Sequence, residues 1–149
     1  MDTLLSLADM MGINIVEEPF LPTGWLGAYS LVQQTIYLLS GLTLVTARCV
    51  LAHELGHAVY KHGCSDESTE WHADRWAAQQ LIDAHDYFVA TRDSPTLEVL
   101  AERLNVTPRT ASTYVRTMRG PSNFLSFQPV KLASASPTYN HQTCCVLAA

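Results

Sequence analysis

Cationic residues are scarce in this chain: nine Lys and Arg stand against fourteen Asp and Glu, a formal net charge of −5 over 149 residues. That balance argues against a dedicated nucleic-acid or membrane-surface protein, since both carry a basic surplus, and leaves room only for a local basic patch. Long apolar runs are missing too. The most apolar stretch, 36–45, is interrupted by Ser40, Gly41 and Thr43 and falls far short of the roughly 20 residues a bilayer span requires. No cationic segment precedes the first apolar residues after Met1-Asp2-Thr3, so no secretory leader is expected. Cysteines are few. Cys49, Cys64, Cys144 and Cys145 lack the paired spacing of a disulfide framework, and the cytoplasm is the natural compartment. Cys145 also misses the prenylation position, so no lipid anchor is implied.

What is present has ordinary globular proportions, 48% apolar and 15% charged, which suits one compact domain or one domain with a small appendage. Leu4, Leu7, Ala8 and Met11 recur at helical spacing between an Asp2/Thr3 cap and a Gly12 stop. A β-prone run follows at 13–16, and two more, at 26–32 and 35–39, flank Gln33-Gln34 as a hairpin. From Thr43 to about Lys61 the pattern is helical, with Leu44, Leu51, Leu55, Ala58 and Val59 on one face and Gly63 as the stop. A second helix is expected after Ser65, whose hydroxyl can cap it, and should run to about Ile82. Residues 83–93 read as a connection with a short extended piece at 87–89. Two further helices, 95–104 and 108–119, flank a turn at 105–108. Residues 122–149, with Pro129 and Pro137, show no periodicity and read as an irregular tail.

The chemistry is carried by His53-Glu54-Leu55-Gly56-His57, an HExxH motif. Residues four apart on a helix lie one turn above each other on the same face, so both imidazoles can reach one ion. Glu54, one position along, cannot join them, but its carboxylate can act on a water at the metal. A zinc site needs a third protein ligand. Glu70 comes thirteen residues after His57, past a Gly63 turn, and Asp74 follows on the same helical face. Ala73, Ala77 and Ala78 lie on or beside that face and would let the second helix approach the first closely. Glu70 is therefore the expected third ligand, with Asp74 placed to accept an N–H from a ligating histidine.

These two segments, HELGH and Glu70-Trp71-His72-Ala73-Asp74-Arg75-Trp76-Ala77-Ala78, resemble the ImmA/IrrE family of metallo-endopeptidases. Gly27-Ala28-Tyr29, Ile36-Tyr37-Leu38 and the later helical pair fit the resemblance, which covers about residues 1–120. It implies a zinc endopeptidase with His53, His57 and Glu70 on Zn2+ and Glu54 as catalytic acid/base. It also implies a protein substrate, since such proteins are often encoded by phages or integrative elements and cleave helix-turn-helix repressors. His72 departs from the pattern, where many relatives carry a second acid, but it falls on another face from Glu70. The expected fold is α+β, a small β-sheet packed on zincin-like metal-binding helices and followed by a C-terminal helical pair. Residues 1–93 form the peptidase core, 94–121 a helix-turn-helix-like pair packed on it, and 122–149 the tail.

Other features carry less. The helical pair holds Arg103, Arg109, Arg116 and Arg119, which could meet DNA phosphates or guanine. A lone pair lacks the usual supporting third helix, and packing on the core is the favoured reading. The competing function is a non-catalytic, zinc-structured regulator of DNA or a repressor, for which Glu54 would have no use. Cys49 and Cys64 are near the motif, but the ligand set is complete without them. His62, His85 and His141 read as surface or loop residues, Trp71 and Trp76 as core. Tyr29 and Tyr60 are both candidates to donate to the oxyanion.

Overall fold

A computed structural model describes residues 1–93, 95–119 and the backbone of 145–148. Helix α1, Asp2–Met10, buries Leu4 and Ala8 and ends at Gly12, whose φ of +68° is a left-handed turn that glycine takes without Cβ strain. Strands β1 (Asn14–Glu18), β2 (Trp25–Ser30) and β3 (Thr35–Leu39) follow. β2 and β3 form the expected antiparallel hairpin, with Tyr29 opposite Ile36 and Ser30 opposite Thr35. β1 does not pair with its chain neighbour. It runs parallel to β3, on the far side of the hairpin.

Helix α2, Leu44–Tyr60, starts at Thr43, whose hydroxyl accepts the Thr46 N–H at 3.2 Å. Leu44 and Val59, placed by sequence on its apolar face, are exposed. Between them every residue from Cys49 to Ala58 is buried, so the helix is enclosed on all sides where it carries the HExxH motif. The stop is Lys61, at φ 55°, and not Gly63. That turn lets the His62 N–H cap the His57 carbonyl at 2.9 Å.

Helix α3, Glu67–Leu81, is capped by Asp66 in a reciprocal box with Thr69, and not by Ser65. α3 lies against α2 through its alanines. At Gly56 an added Cβ would stand 2.9 Å from the Ala73 Cα and 2.9 Å from its carbonyl oxygen. Backbone cannot yield as a side-chain tip can. Gly56→Ala would gain up to about 1 kcal/mol in helix propensity but overpack by about 1–3 kcal/mol. A net loss of stability is expected in urea unfolding, and wild-type stability would show that the helices can part without cost.

Residues 84–90 form a helix, α4 (Ala84–Ala90), where the sequence suggested an extended piece. The Asp83 carboxylate caps it, accepting the His85 N–H at 2.7 Å, and Tyr87 packs into the core. Capping and tertiary packing outweigh the β preference of Tyr87-Phe88-Val89. Helices α5 (Leu97–Arg103) and α6 (Pro108–Arg119) complete the helical pair. The last strand, β4 (Cys145–Ala148), lies within the stretch read as irregular tail and pairs antiparallel with β2, giving the sheet order β1-β3-β2-β4. His141, Cys144, Pro129 and Pro137 lie outside the described residues.

The apolar interior has two parts. One joins α1, the sheet and α2 around Ile36, Leu51 and Leu55. The other joins α3, α5 and α6 around Ala78, Ile82, Ala111 and Tyr114, and includes Cys49. The segments of α2 and α3 that carry the candidate donors therefore have sheet on one side and the helical pair on the other.

Candidate metal centre

Helix α2 supplies two imidazoles one turn apart, and their Nε2 atoms lie 3.0 Å from each other. The first turn of α3 brings Glu70, with Oε1 3.3 Å from His57 Nε2 and Oε2 3.4 Å from His53 Nε2. One donor atom from each residue falls within 4.8 Å of the others. Donors arranged tetrahedrally at about 2.0–2.1 Å from an ion stand roughly 3.3 Å apart. The observed spacing suits a zinc-sized ion, and two imidazoles with one carboxylate leave a coordination position open.

The outer nitrogens of both histidines are also engaged. His53 Nδ1 is 2.8 Å from Asp74 Oδ1; with an ion on Nε2, Nδ1 would carry the hydrogen and donate to the carboxylate. His57 Nδ1 is 3.0 Å from His62 Nδ1. Burial, followed by coupling to His57 and His72, holds His62 below the ordinary imidazole range, so its Nδ1 can accept from His57. Glu70 is steadied from its own side by the Ser65 hydroxyl, which donates to Oε1 at 2.6 Å. The residue expected as a helix cap thus serves the third donor.

Burial alone would lower His53, but hydrogen bonds to Asp74 and Glu70, with the Glu54 charge, outweigh it and push the imidazole up to about 9. Burial lowers His57, outweighing its hydrogen bond to Glu70. Burial would raise Glu70, but its bonds to His53, His57 and Ser65 hold it far below the carboxylate range. In protein stripped of metal near pH 7, the donor set therefore holds one proton, on His53. A bound ion must displace it. Zinc affinity should rise with pH up to about 9, and calorimetry at pH 6.5 in buffers of differing ionisation enthalpy should find close to one proton released per ion. Release of none would mean that His53 is already neutral.

Glu54 is fully buried beside His53. Facing it from the sheet is Gly27 of β2, where an added Cβ would come within 3.3 Å of the Glu54 Cγ and 2.5 Å of a Val50 methyl. Bare backbone at Gly27 is what makes room for the carboxylate stem. Of the two tyrosines, Tyr29 is enclosed in the sheet-side core, its hydroxyl 3.5 Å from the Gln34 amide nitrogen. Tyr60 is half-exposed, and its ring stacks on His62 at 5.5 Å.

The remaining sequence candidates fall elsewhere. Cys49 is buried with its sulfur 3.4 Å from the Thr107 N–H, and Cys64 is exposed. Trp76 packs against the core. Trp71 does not enter it and is half-buried, with the Arg116 guanidinium 4.5 Å above its ring. His62, which by spacing reads as a surface or loop residue, sits behind His57. Its offset of five residues is no helical period, and only the Lys61 turn brings it back. Arg103 donates to the Ala90 carbonyl at 2.8 Å. Arg109 meets Asp74, with Nε 3.2 Å from both carboxylate oxygens and Nη2 3.1 Å from Oδ2. Nothing in a separation of 35 residues announces that pair.

Comparison with known proteins adds one finding. A family model described as Peptidase_M78, IrrE N-terminal-like domain, matches residues 8–113. No curated protein and no solved structure matches the chain. No helix among the described residues is long and apolar enough to cross a membrane.

Proposed function

Because the chain belongs to the IrrE N-terminal-like peptidase family, we propose that it is a cytoplasmic zinc endopeptidase that cleaves a helix-turn-helix repressor encoded nearby. The observation that carries the reading is the convergence of His53, His57 and Glu70 within 3.0–3.4 Å, with the Glu54 carboxylate buried beside them. Zinc, when bound, acts as a Lewis acid that polarises the scissile carbonyl and makes water a better nucleophile at neutral pH. The rest is supplied by the chain. Glu54 takes a proton from the attacking water and passes it to the leaving amine. The Nδ1 of His53 is directed to Asp74 and that of His57 to His62, so each imidazole would present Nε2 to the ion once the His53 proton is displaced.

The substrate reading has a different support, the family resemblance of the two motifs, and needs its own test. Purified protein should cleave one of a panel of helix-turn-helix repressors, including any encoded beside it. Cleavage should stop on treatment with a chelator and return on adding zinc. Cleavage that survives complete removal of metal would overturn the zinc mechanism. Intact repressors alongside metal-dependent cleavage of an unrelated protein would overturn the substrate assignment alone.

A further inference from the structure

Arg109 extends from the first turn of α6 across to the acidic face of α3. Its Nη2 lies between two carboxylates, 3.1 Å from Asp74 Oδ2 and 3.6 Å from Glu70 Oε2. Asp74 in turn holds His53 through Nδ1 at 2.8 Å, and Glu70 meets the same imidazole through Nε2 at 3.4 Å. The four side chains close a ring: Arg109 to Asp74, Asp74 to His53, His53 to Glu70, Glu70 to Arg109. We infer that Arg109 is a positioning residue of the metal centre, orienting the carboxylate behind His53 and the third donor through one planar fork. The inference rests on the zinc reading above and adds to it the helical pair, whose part in the protein is then to deliver this guanidinium.

Two effects of Arg109 oppose each other. A cation beside the site repels a second cation, and a fork that fixes Asp74 and Glu70 spares the ion the cost of ordering them. The Arg109 side chain is 42% exposed, while those of Asp74 and Glu70 are 20% and 22% exposed. Water screens the repulsion more than it loosens a two-point contact with half-enclosed partners, so positioning prevails. Arg116 supplies the control, because it also fastens α6 to α3, in its case over the Trp71 ring at 4.5 Å.

The test is zinc affinity of the full chain by chelator competition, with urea unfolding of each variant in excess chelator. Arg109→Ala should bind zinc about ten- to a hundredfold more weakly, the usual size of an effect transmitted through a ligand's partner. Arg109→Lys should recover little of it, because a point charge cannot span both carboxylates. Arg116→Ala should lose comparable stability and keep wild-type affinity. Asp74→Ala should weaken zinc similarly, and adding Arg109→Ala to it should cost at most a few-fold more. Wild-type affinity in Arg109→Ala would overturn the inference while leaving the metal centre standing. Tighter binding would do the same, by showing that repulsion prevails. An equal loss in Arg116→Ala would reduce Arg109 to a docking contact. Full recovery in Arg109→Lys would reduce it to a charge. A wild-type chain that holds no zinc would overturn the metal reading itself.

Discussion

Glu54→Gln protein should purify folded and fully loaded with zinc, yet cleave its substrate about two to four orders of magnitude more slowly than wild type. The amide has the carboxylate's shape and fits the space left open by Gly27, where the Glu54 stem is closely bounded. None of His53, His57 or Glu70 is altered, so metal content should not fall. What disappears is the buried carboxylate beside the donors that accepts a proton from water. Elemental analysis and mass analysis of the reaction products read the two properties separately. Equal cleavage by both proteins would show that Glu54 is not the base. Loss of zinc in Glu54→Gln would show that its carboxylate helps to hold the ion.

Removing a donor should have the opposite signature. His53→Ala or Glu70→Ala leaves two protein donors, too few for a stable zinc site, and near-complete loss of metal is expected after dialysis. Glu70→Ala carries a second penalty, since the Ser65 hydroxyl and the Arg109 guanidinium lose the acid they face. It should therefore unfold at lower urea than wild type even in excess chelator. Undiminished zinc in Glu70→Ala would remove that residue from the donor set.

Much of the centre could be read from the chain because its parts obey short periods. Residues 53 and 57 share a helix face by spacing alone, Glu70 and Asp74 share another, and the alanines beside them mark where the two helices touch. The hairpin was legible from local composition, two β-prone runs about Gln33-Gln34. What escaped reading depends on events without a period. The parallel pairing of β1 with β3 passes over β2, the strand nearer in sequence, and is made by the packed whole. Helix α4 forms through one aspartate cap and the burial of Tyr87 against local β preference. The exposure of Leu44 and Val59 at the ends of α2 reflects what surrounds the helix, not its own pattern. Ser65, His62 and Arg109 reach the donors through a hydroxyl, a left-handed turn and a long side chain from another helix. None leaves a mark in the spacing of residues.

The pairing of β4 with β2 sets an order of events in the making of the protein. Tyr29 meets Cys145 in that ladder, so over a hundred residues of chain are synthesised between partner and partner, roughly 6–20 s at ordinary translation rates. Every donor, and Arg109 with them, has been made well before the strand that completes the sheet. During that interval the row of N–H and C=O groups along β2 faces outward, and such a row is a template for any extended segment that reaches it. The candidate donors are thus synthesised before the strand that covers β2, and the interval between the two is when a neighbouring chain can take the place of β4.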